Sequence, residues 1–445
     1  MNELLTPAEM GRADALAGNA QALMDAAGRA VARAIMQRYA PCSTLVLAGP
    51  GNNGGDGHVA ADYLRQAGWA VTVRAWNKAS VAEVARAGLV IDAIFGAGLA
   101  RDVSPEVAAL LRAAKRLVAI DVPSGLDGAT GAVRGYAPQA ELTVTFFRAK
   151  PGHYLYPGRG LCGELVLRDI GLPGSVLAQI NPQTWVNGPA LWHLPARAPT
   201  GHKYSAGDVS VLCGNMPGAA RLACAGARRA GAGMVTLAAD APFLPPEAGL
   251  IVRAEPLEVL LQDARRKIWV CGPGLGPLAG HKLARLIAAG RIIVADADAL
   301  TACAGAPEKL RGAAVITPHE GEFSRVFGSL RHDRLSAARA AARATGAVAV
   351  LKGADTIIAA PDGRAAINAN APPYLASGGT GDVLAGIIAA LLAQEMPAFE
   401  AACAAVWLHG AAALKVGPGL LAEDIPAVLG PLMARLRPPF NPADY

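Results

Sequence analysis

The chain predicts an α/β protein of two domains, and three observations carry that expectation. Strand-like runs of aliphatic residues alternate with helical runs along nearly the whole length, the pattern of mostly parallel sheets covered on both faces. Twice a glycine-rich turn leads straight into a helix, at GPGNNGGDG (49–57) and at SGGTGD (377–382). A length of 445 residues, 53% hydrophobic and only 17% charged, suffices for two or three sizeable cores.

The formal charge of +6 is spread without a Lys/Arg run and without basic and aromatic interleaving, so no nucleic-acid footprint is expected, only weak attraction for small anions. Seven scattered cysteines, never C-x-x-C, argue against a disulfide framework or zinc site and for a reducing cytoplasm. No signal core and no uninterrupted apolar run near the roughly 18 residues of a membrane helix is seen, so a soluble protein with no membrane partner is expected.

Residues 4–38 read as mostly helix, opened by Thr6, Pro7 and Glu9 as a capping box. STLVLAG is a strand, GPGNNGGDG a loop, and HVAADYLRQAG the helix after it. Gly49, Gly51 and Gly54 satisfy G-x-G-x-x-G, but AVTVRAWNK offers Arg74 where a dinucleotide site needs a ribose-binding acid. The loop instead carries Asn52, Asn53 and Asp56, whose oxygens suit a hard cation or a polar ligand. LVIDAIFGAGLARDV places Asp92 inside an apolar strand, where a lone carboxylate needs a cation or donors. RLVAIDVPSGLD ends in Asp121 and Ser124, LTVTFFRAKPG leads to Lys150, and GELVLRDIGLP closes the domain near 175. Strand ends in an open parallel sheet converge on a ligand, so these loops are expected together; a turn-forming Asp before Pro is the plainer reading of Asp121.

A Pro- and Gly-rich stretch between about 175 and 207 marks the boundary, placed at 195/196. Strands and helices then alternate again, with TIIAA and AAIN forming an edge hairpin around the PDG turn. In Ser377–Gly378–Gly379–Thr380–Gly381–Asp382 the glycines free the backbone to turn its N–H groups inward, and VLAGIIAALLA, apolar on every face, is a buried helix. Together they form an anion hole suited to phosphate, with Asp382 placed to meet the hydroxyl the phosphate approaches. An ordinary N-cap is the plainer reading of Asp382. The helix dipole should lower the pKa of Asp382 and make it a weak base. Acids at strand ends, Asp296, Asp298, Glu320 and Glu322, suit Mg²⁺ held through waters.

The motifs AEM, ALMDAAGRAVA, GPGNNGGDG, DAIFGAGL and DVPSGLD resemble the NAD(P)H-hydrate epimerase family, which implies a Rossmann-like three-layer fold for 1–195. GPGLG, DADAL, TPHEGEF, VLKGADT and SGGTGDVLAGIIAALLAQ resemble the ADP-dependent NAD(P)H-hydrate dehydratase family, implying a ribokinase-like domain over 196–445. The order is that of bifunctional bacterial nicotinamide-nucleotide repair proteins. The resemblance implies epimerisation of R and S hydrates of NAD(P)H and removal of water from the S form with ADP as co-substrate. It implies substrate contacts at Asn52, Asn53, Gly54, Gly55 and Asp56, and at Gly96, Ala97, Gly98, Leu99, Ala100, Arg101 and Asp102. Asp121 then stands at the reacting ring, and K⁺ lies at Asn53, Asp92 and Ser124, leaving Asp121 free to move protons. In the second domain it implies substrate at Ala219, Gly274, Gly276 and His319, and nucleotide at Lys352, Gly353, Ala354, Asp355, Thr356, Gly379, Thr380 and Gly381, with Asp382 as base. His319 also fits a plain turn residue, and Lys352 a lysine closing a strand at the surface. His202–Lys203–Tyr204 and Cys213–Gly214–Asn215 depart from the family pattern. Partners are NAD(P)HX and ADP, and a homo-oligomer is expected. A small-molecule kinase, or a first domain that only binds, would be the competing functions.

Overall fold

Leu45, Val46 and Leu47 are buried on both faces of the first strand, and a strand with no wet face belongs in the middle of a helix-covered parallel sheet. The computed structural model describes residues 2–196, 200–241, 247–330 and 333–437 and places that strand so. The chain divides into two units, Met1–Trp185 and Val186–Tyr445.

In the first unit β1 (Thr44–Ala48), β2 (Val71–Ala75), β3 (Leu89–Ala93), β4 (Leu117–Ile120), β5 (Leu142–Phe146) and β6 (Glu164–Arg168) lie in the order β2-β1-β3-β4-β5-β6, all parallel. The order reverses at β1, which opens a crevice beyond the carboxyl ends of β1 and β3. The expected amino-terminal helical stretch is two helices, Pro7–Ala17 and Ala20–Met36, broken at Gly18 with φ 74°. Thr6 caps the first as its sequence predicts: the Glu9 amide donates to Thr6 Oγ1 at 3.3 Å and the Thr6 amide to Glu9 Oε2 at 2.7 Å.

The glycine stretch differs from its expectation. It is not a loop ahead of a helix at His58; the helix runs Asn52–Gln66, so both asparagines and Asp56 sit in its opening turns. Close packing explains the early start. A Cβ on Gly54 would lie 2.0 Å from the Gly49 carbonyl oxygen, and one on Gly57 would lie 2.6 Å from Ala93 Cβ.

β7 (Thr184–Val186) spans the junction. The second unit starts ten residues before the expected boundary, because Trp192 and Leu194 are buried in its core and the Trp192 indole donates to Asn187. Its strands are β8 (Asp208–Leu212), β9 (Met234–Ala238), β10 (Ile251–Arg253), β11 (Ile268–Cys271), β12 (Ile292–Ala295), β13 (Val315–Ile316), β14 (Val348–Leu351), β15 (Ile357–Ala359) and β16 (Ala365–Ile367). They follow the order β10-β9-β8-β11-β12-β13-β14-β15-β16, parallel up to β14 and antiparallel through the predicted β15–β16 hairpin. The apolar helix Thr380–Ala393 is buried nearly throughout and crosses Pro217–Arg229 at glycine contacts: a Cβ on Gly386 would meet the Ala223 carbonyl oxygen at 1.9 Å, and one on Gly226 that of Val383 at 2.4 Å.

Among the described residues one helix, Ala398–Val416, has the length and hydropathy to cross a membrane. Sequence reading passed over it because Glu400, His409 and Lys415 interrupt the apolar run. Two thirds of it is buried in the second unit's core, where Cys403, Ala405 and Leu408 pack beneath the sheet.

Candidate functional site

The crevice of the first unit is a cavity of about 750 Å³. Asn52, Asn53 and Asp56 reach it from the helix after β1, Phe95 to Arg101 from the loop after β3, Asp121 from the end of β4 and Lys150 from beyond β5. Topology therefore unites segments that the sequence separates. Gly54, Gly55 and Asp102 lie outside this lining: the two glycines face Gly49 and Met24, and Asp102 is on the surface.

Asp121 holds a left-handed backbone conformation, φ 66°, unusual for a residue with a side chain. Its carboxylate is fully engaged. Oδ1 accepts from Lys150 Nζ at 2.6 Å and Thr145 Oγ1 at 3.0 Å, and Oδ2 from the Ala97 amide at 2.9 Å. Burial alone would raise its pKa, but Lys150 and these donors outweigh it and hold the group at about 2. Neither oxygen of the Asp121 carboxylate is left without a donor. His153 lies behind it. The Lys150 amide donates to His153 Nδ1 at 2.9 Å, so Nε2 bears the hydrogen and donates to the Asp121 carbonyl oxygen at 2.8 Å. Burial, with Lys150 nearby, lowers this imidazole to about 4 and keeps it neutral.

Asp92 is 0% exposed. Its Oδ1 accepts from Ser124 Oγ at 2.6 Å and the Ile94 amide at 3.2 Å, and its Oδ2 from the Ser124 amide at 2.8 Å. Burial still raises it to about 6 despite these donors. Half-buried Asn53 has a buried amide nitrogen without a partner among the described residues, and the Phe95 carbonyl oxygen accepts from Ser124 Oγ at 3.2 Å. The carboxylate, hydroxyl and carbonyl oxygens of Asp92, Ser124 and Phe95 are the ligand type of a hard cation.

In the second unit Gly379, at φ 88°, turns the chain into the helix Thr380–Ala393. The Thr380 hydroxyl faces inward, within 2.9 Å of both the Leu375 and Ser377 carbonyl oxygens, and pins the turn. Gly381 stands against Lys352, whose Nζ would be 3.4 Å from a Cβ there. Lys352 donates to Asp296 Oδ1 at 2.8 Å and lies 3.8 Å from Glu322 Oε2; these acids overcome its burial and raise its pKa. Both acids are buried.

Asp382 departs from its expectation. Its pKa rises to about 7 instead of falling, through burial first, then Asp296, with Asp298 and Glu322 adding and Lys352 only partly offsetting. The helix end is outweighed because three further carboxylates converge on it and the one nearby ammonium is taken by Asp296.

The remaining predicted positions divide. Ala219, Gly274 and Gly276 come together: a Cβ on Gly274 would lie 2.4 Å from the Met216 carbonyl oxygen and 3.2 Å from Ala219 Cβ, and one on Gly276 would lie 2.9 Å from Asn215 Nδ2. The Asn215 departure thus falls on this same edge. Asp298 Oδ2 accepts from the Gly276 amide at 2.8 Å, fixing that loop. His319 caps the helix Glu320–Phe327, its Nδ1 accepting from the Gly321 and Glu322 amides. Gly353 and Ala354 are exposed beside Lys352, whereas Asp355 is buried on Arg334 at 3.3 Å and Thr356 donates to the Gly353 carbonyl. Glu320 is largely exposed and pairs with Arg334 at 3.4 Å. No group of three His, Cys, Asp or Glu able to cage a metal occurs among the described residues.

Sequence reasoning missed the partners: Lys150 on Asp121, Lys352 on Asp296, and Asp14 facing Asp56 across the first cavity. A lysine at one strand end and an acid at the next was the only available signal.

Residues 209–422 match the family model described as NAD(P)H-hydrate dehydratase, and residues 20–87 and 77–152 match that of the YjeF-related protein N-terminus. The bifunctional NAD(P)H-hydrate repair enzyme Nnr of Escherichia coli is 35% identical, covering 94% of this chain and 90% of its own. That of Thermofilum pendens is 34% identical, covering 88% and 86%. A ribokinase-like superfamily protein from Enterococcus faecalis shares the second unit's fold, with a TM-score of 0.50, 28% identity, and 55% of this chain and 93% of its own covered.

Proposed function

This chain belongs to the bifunctional NAD(P)H-hydrate repair enzymes, and from that premise we propose how its residues carry the two reactions. The first unit epimerises hydrated NAD(P)H, and the second dehydrates the S form at the expense of ADP. The observation that carries the residue assignment is Asp382 at the mouth of the glycine turn, holding a carboxyl at about 7 beside the ion pair of Lys352 with buried Asp296.

Hydroxide leaves carbon slowly, so the hydroxyl is first made a phosphate ester. Its oxygen attacks the terminal phosphorus of ADP, AMP departs, and Asp382 takes the hydroxyl proton. The amides of Gly379, Thr380 and Gly381 stabilise charge on the transferring group, and Lys352 with Gly353 and Ala354 meets the nucleotide. Phosphate then leaves with its bonding electrons and takes up the proton lost from the neighbouring carbon, which restores the double bond. With its carboxyl at about 7, Asp382 is partly ionised at neutral pH and able to accept the hydroxyl proton. Mg²⁺ arriving with the nucleotide would neutralise phosphate charge; Asp296 and Glu322 are placed to meet it through water, whereas Glu320 points elsewhere. Ala219, Gly274, Gly276 and His319 line the dinucleotide's side of the site.

In the first unit the Asp121–Lys150 pair and the Ala97 loop orient the hydrated ring. K⁺ would be held by oxygens of Asp92, Ser124 and Asn53, supplying the positive charge that buried Asp92 lacks.

The test mixes the protein with (S)-NADHX and either ADP or ATP and follows the return of NADH absorbance. Recovery faster with ADP is expected. A stable phosphorylated product with no NADH would overturn dehydration in favour of a kinase.

A further inference from the structure

Three carboxyl groups face the first unit's cavity; Asp14 is exposed at its rim, and the two set deeper, Asp56 and Asp121, differ in what their oxygens already do. Asp121 accepts from Lys150 and Thr145 on one oxygen and from the Ala97 amide on the other. Asp56 lines the same cavity from the opening turns of Asn52–Gln66, and among the described residues no hydrogen bond or ion pair reaches its carboxyl. We propose that Asp56 is the proton donor of the epimerisation, and that Asp121 is a positioning residue that fixes Lys150 and the Ala97 loop; this rests on the epimerase reading of the first unit.

The groups that face Asp56 come from three elements. Asp14 stands on the helix Pro7–Ala17, Asp121 at the end of β4 and Lys150 beyond β5. Burial, then Asp121 and Asp14, hold Asp56 protonated at neutral pH, with an apparent pKa of about 8 that Lys150 only partly offsets. Asp121, at about 2, carries no proton to give.

The reacting carbon bears a hydroxyl and adjoins the ring nitrogen. Asp56 gives its proton to the hydroxyl oxygen as the carbon–oxygen bond breaks, and the bonding electrons leave with water. The nitrogen lone pair forms a carbon–nitrogen double bond. Water then adds to the opposite face, the electrons of that double bond return to nitrogen, and the proton shed by the water restores Asp56 through solvent. Nothing is oxidised or reduced, and the only change is the configuration at one carbon.

The experiment uses the full chain without nucleotide, starting from purified (R)-NADHX and following the R/S ratio by chromatography, with the uncatalysed rate subtracted. D56N should lower kcat by about 10²- to 10⁴-fold, the usual worth of a general acid, with KM within about 3-fold. The wild-type rate should fall above about pH 8, and that fall should be absent from the residual activity of D56N. D56E should recover part of the rate together with the fall. D121N should raise KM and keep the fall. A D56N rate equal to wild type, or a fall that persists in D56N, overturns the proposal alone. A wild-type chain that leaves the ratio to its uncatalysed drift overturns the epimerase reading and the proposal with it.

Discussion

Each unit sets a lysine among carboxylates near its strand ends, Lys150 buried and Lys352 half-buried, and the two lysines choose differently. Lys150 takes Asp121, the acid at the cavity, and holds it at about 2. Lys352 takes Asp296, the neighbour of the acid at the glycine turn, and Asp382 is left among like charges at about 7. The same residue types at the same end of a parallel sheet thus give a fixed anion in one unit and a titrating group in the other. What decides is the partner of the ammonium, because a direct ion pair outweighs burial, whereas an ammonium one residue away does not.

The largest test of that contrast removes the titrating member. Asp382→Ala should cut ADP-driven dehydration on the order of 10³-fold while ADP binding, measured by calorimetry, stays within a few-fold and epimerisation is untouched. Retained turnover would make Asp382 an N-cap and nothing more.

Removing the fixed anion should act differently. Asp121→Ala leaves Lys150, 2% exposed, as a buried charge without its partner, which costs about 3–5 kcal/mol and lowers the first unit's melting temperature along with epimerase activity. Adding Lys150→Met to that variant should recover much of the stability but not the activity, since no orphan ammonium remains. Equal melting temperatures in the single and double variants would break the argument.

The pH dependence should separate the units further. Dehydration should rise about tenfold per pH unit below 7 and level above it, because Asp382 must be ionised to accept a proton. Lys352→Met should move that rise to higher pH, as the lysine is what holds Asp382 down. Stability runs the opposite way. Asp382 binds its proton more tightly folded than unfolded, so its contribution is full below its ordinary 3.8 and is lost as pH rises through about 7. Asp382→Asn should therefore raise the second unit's melting temperature at pH 8 and leave it unchanged at pH 4.

The sequence made the two glycine turns, the strand-end acids and the hairpin legible because each depends on residues close in the chain. Turn glycines, alternation and caps are local chemistry. The protonation of Asp382 was not legible: the dipole of its own helix can be read from SGGTGD, but Asp296, Asp298 and Glu322 arrive from segments 60 to 86 residues earlier. Lys150 reaches Asp121 across 29 residues with no spacing rule to announce it. The start of the helix at Asn52 was hidden for another reason. Glycines were read as loop formers, whereas Gly54 and Gly57 are there because Gly49 and Ala93 leave no room for a Cβ.

That last point gives the smallest and cleanest comparison, within the second unit. Gly386 lies in the buried helix with the Ala223 carbonyl oxygen 1.9 Å from where a Cβ would be, while Gly378 has nothing within 4 Å. Alanine favours a helix over glycine by about 1 kcal/mol, so propensity alone would make Gly386→Ala stabilising. The obstructing atom belongs to the backbone of Pro217–Arg229 and cannot swing aside, so the helices must part and the variant should lose about 1–3 kcal/mol. For a unit of this size each kcal/mol lowers the melting temperature by roughly 2–4 °C. Gly378→Ala should leave the melting temperature unchanged and act, if at all, on ADP affinity. Were Gly386→Ala the more stable of the two, the glycine would be a helix defect and the close crossing that steadies the amino end of Thr380–Ala393 would carry no weight in placing Asp382.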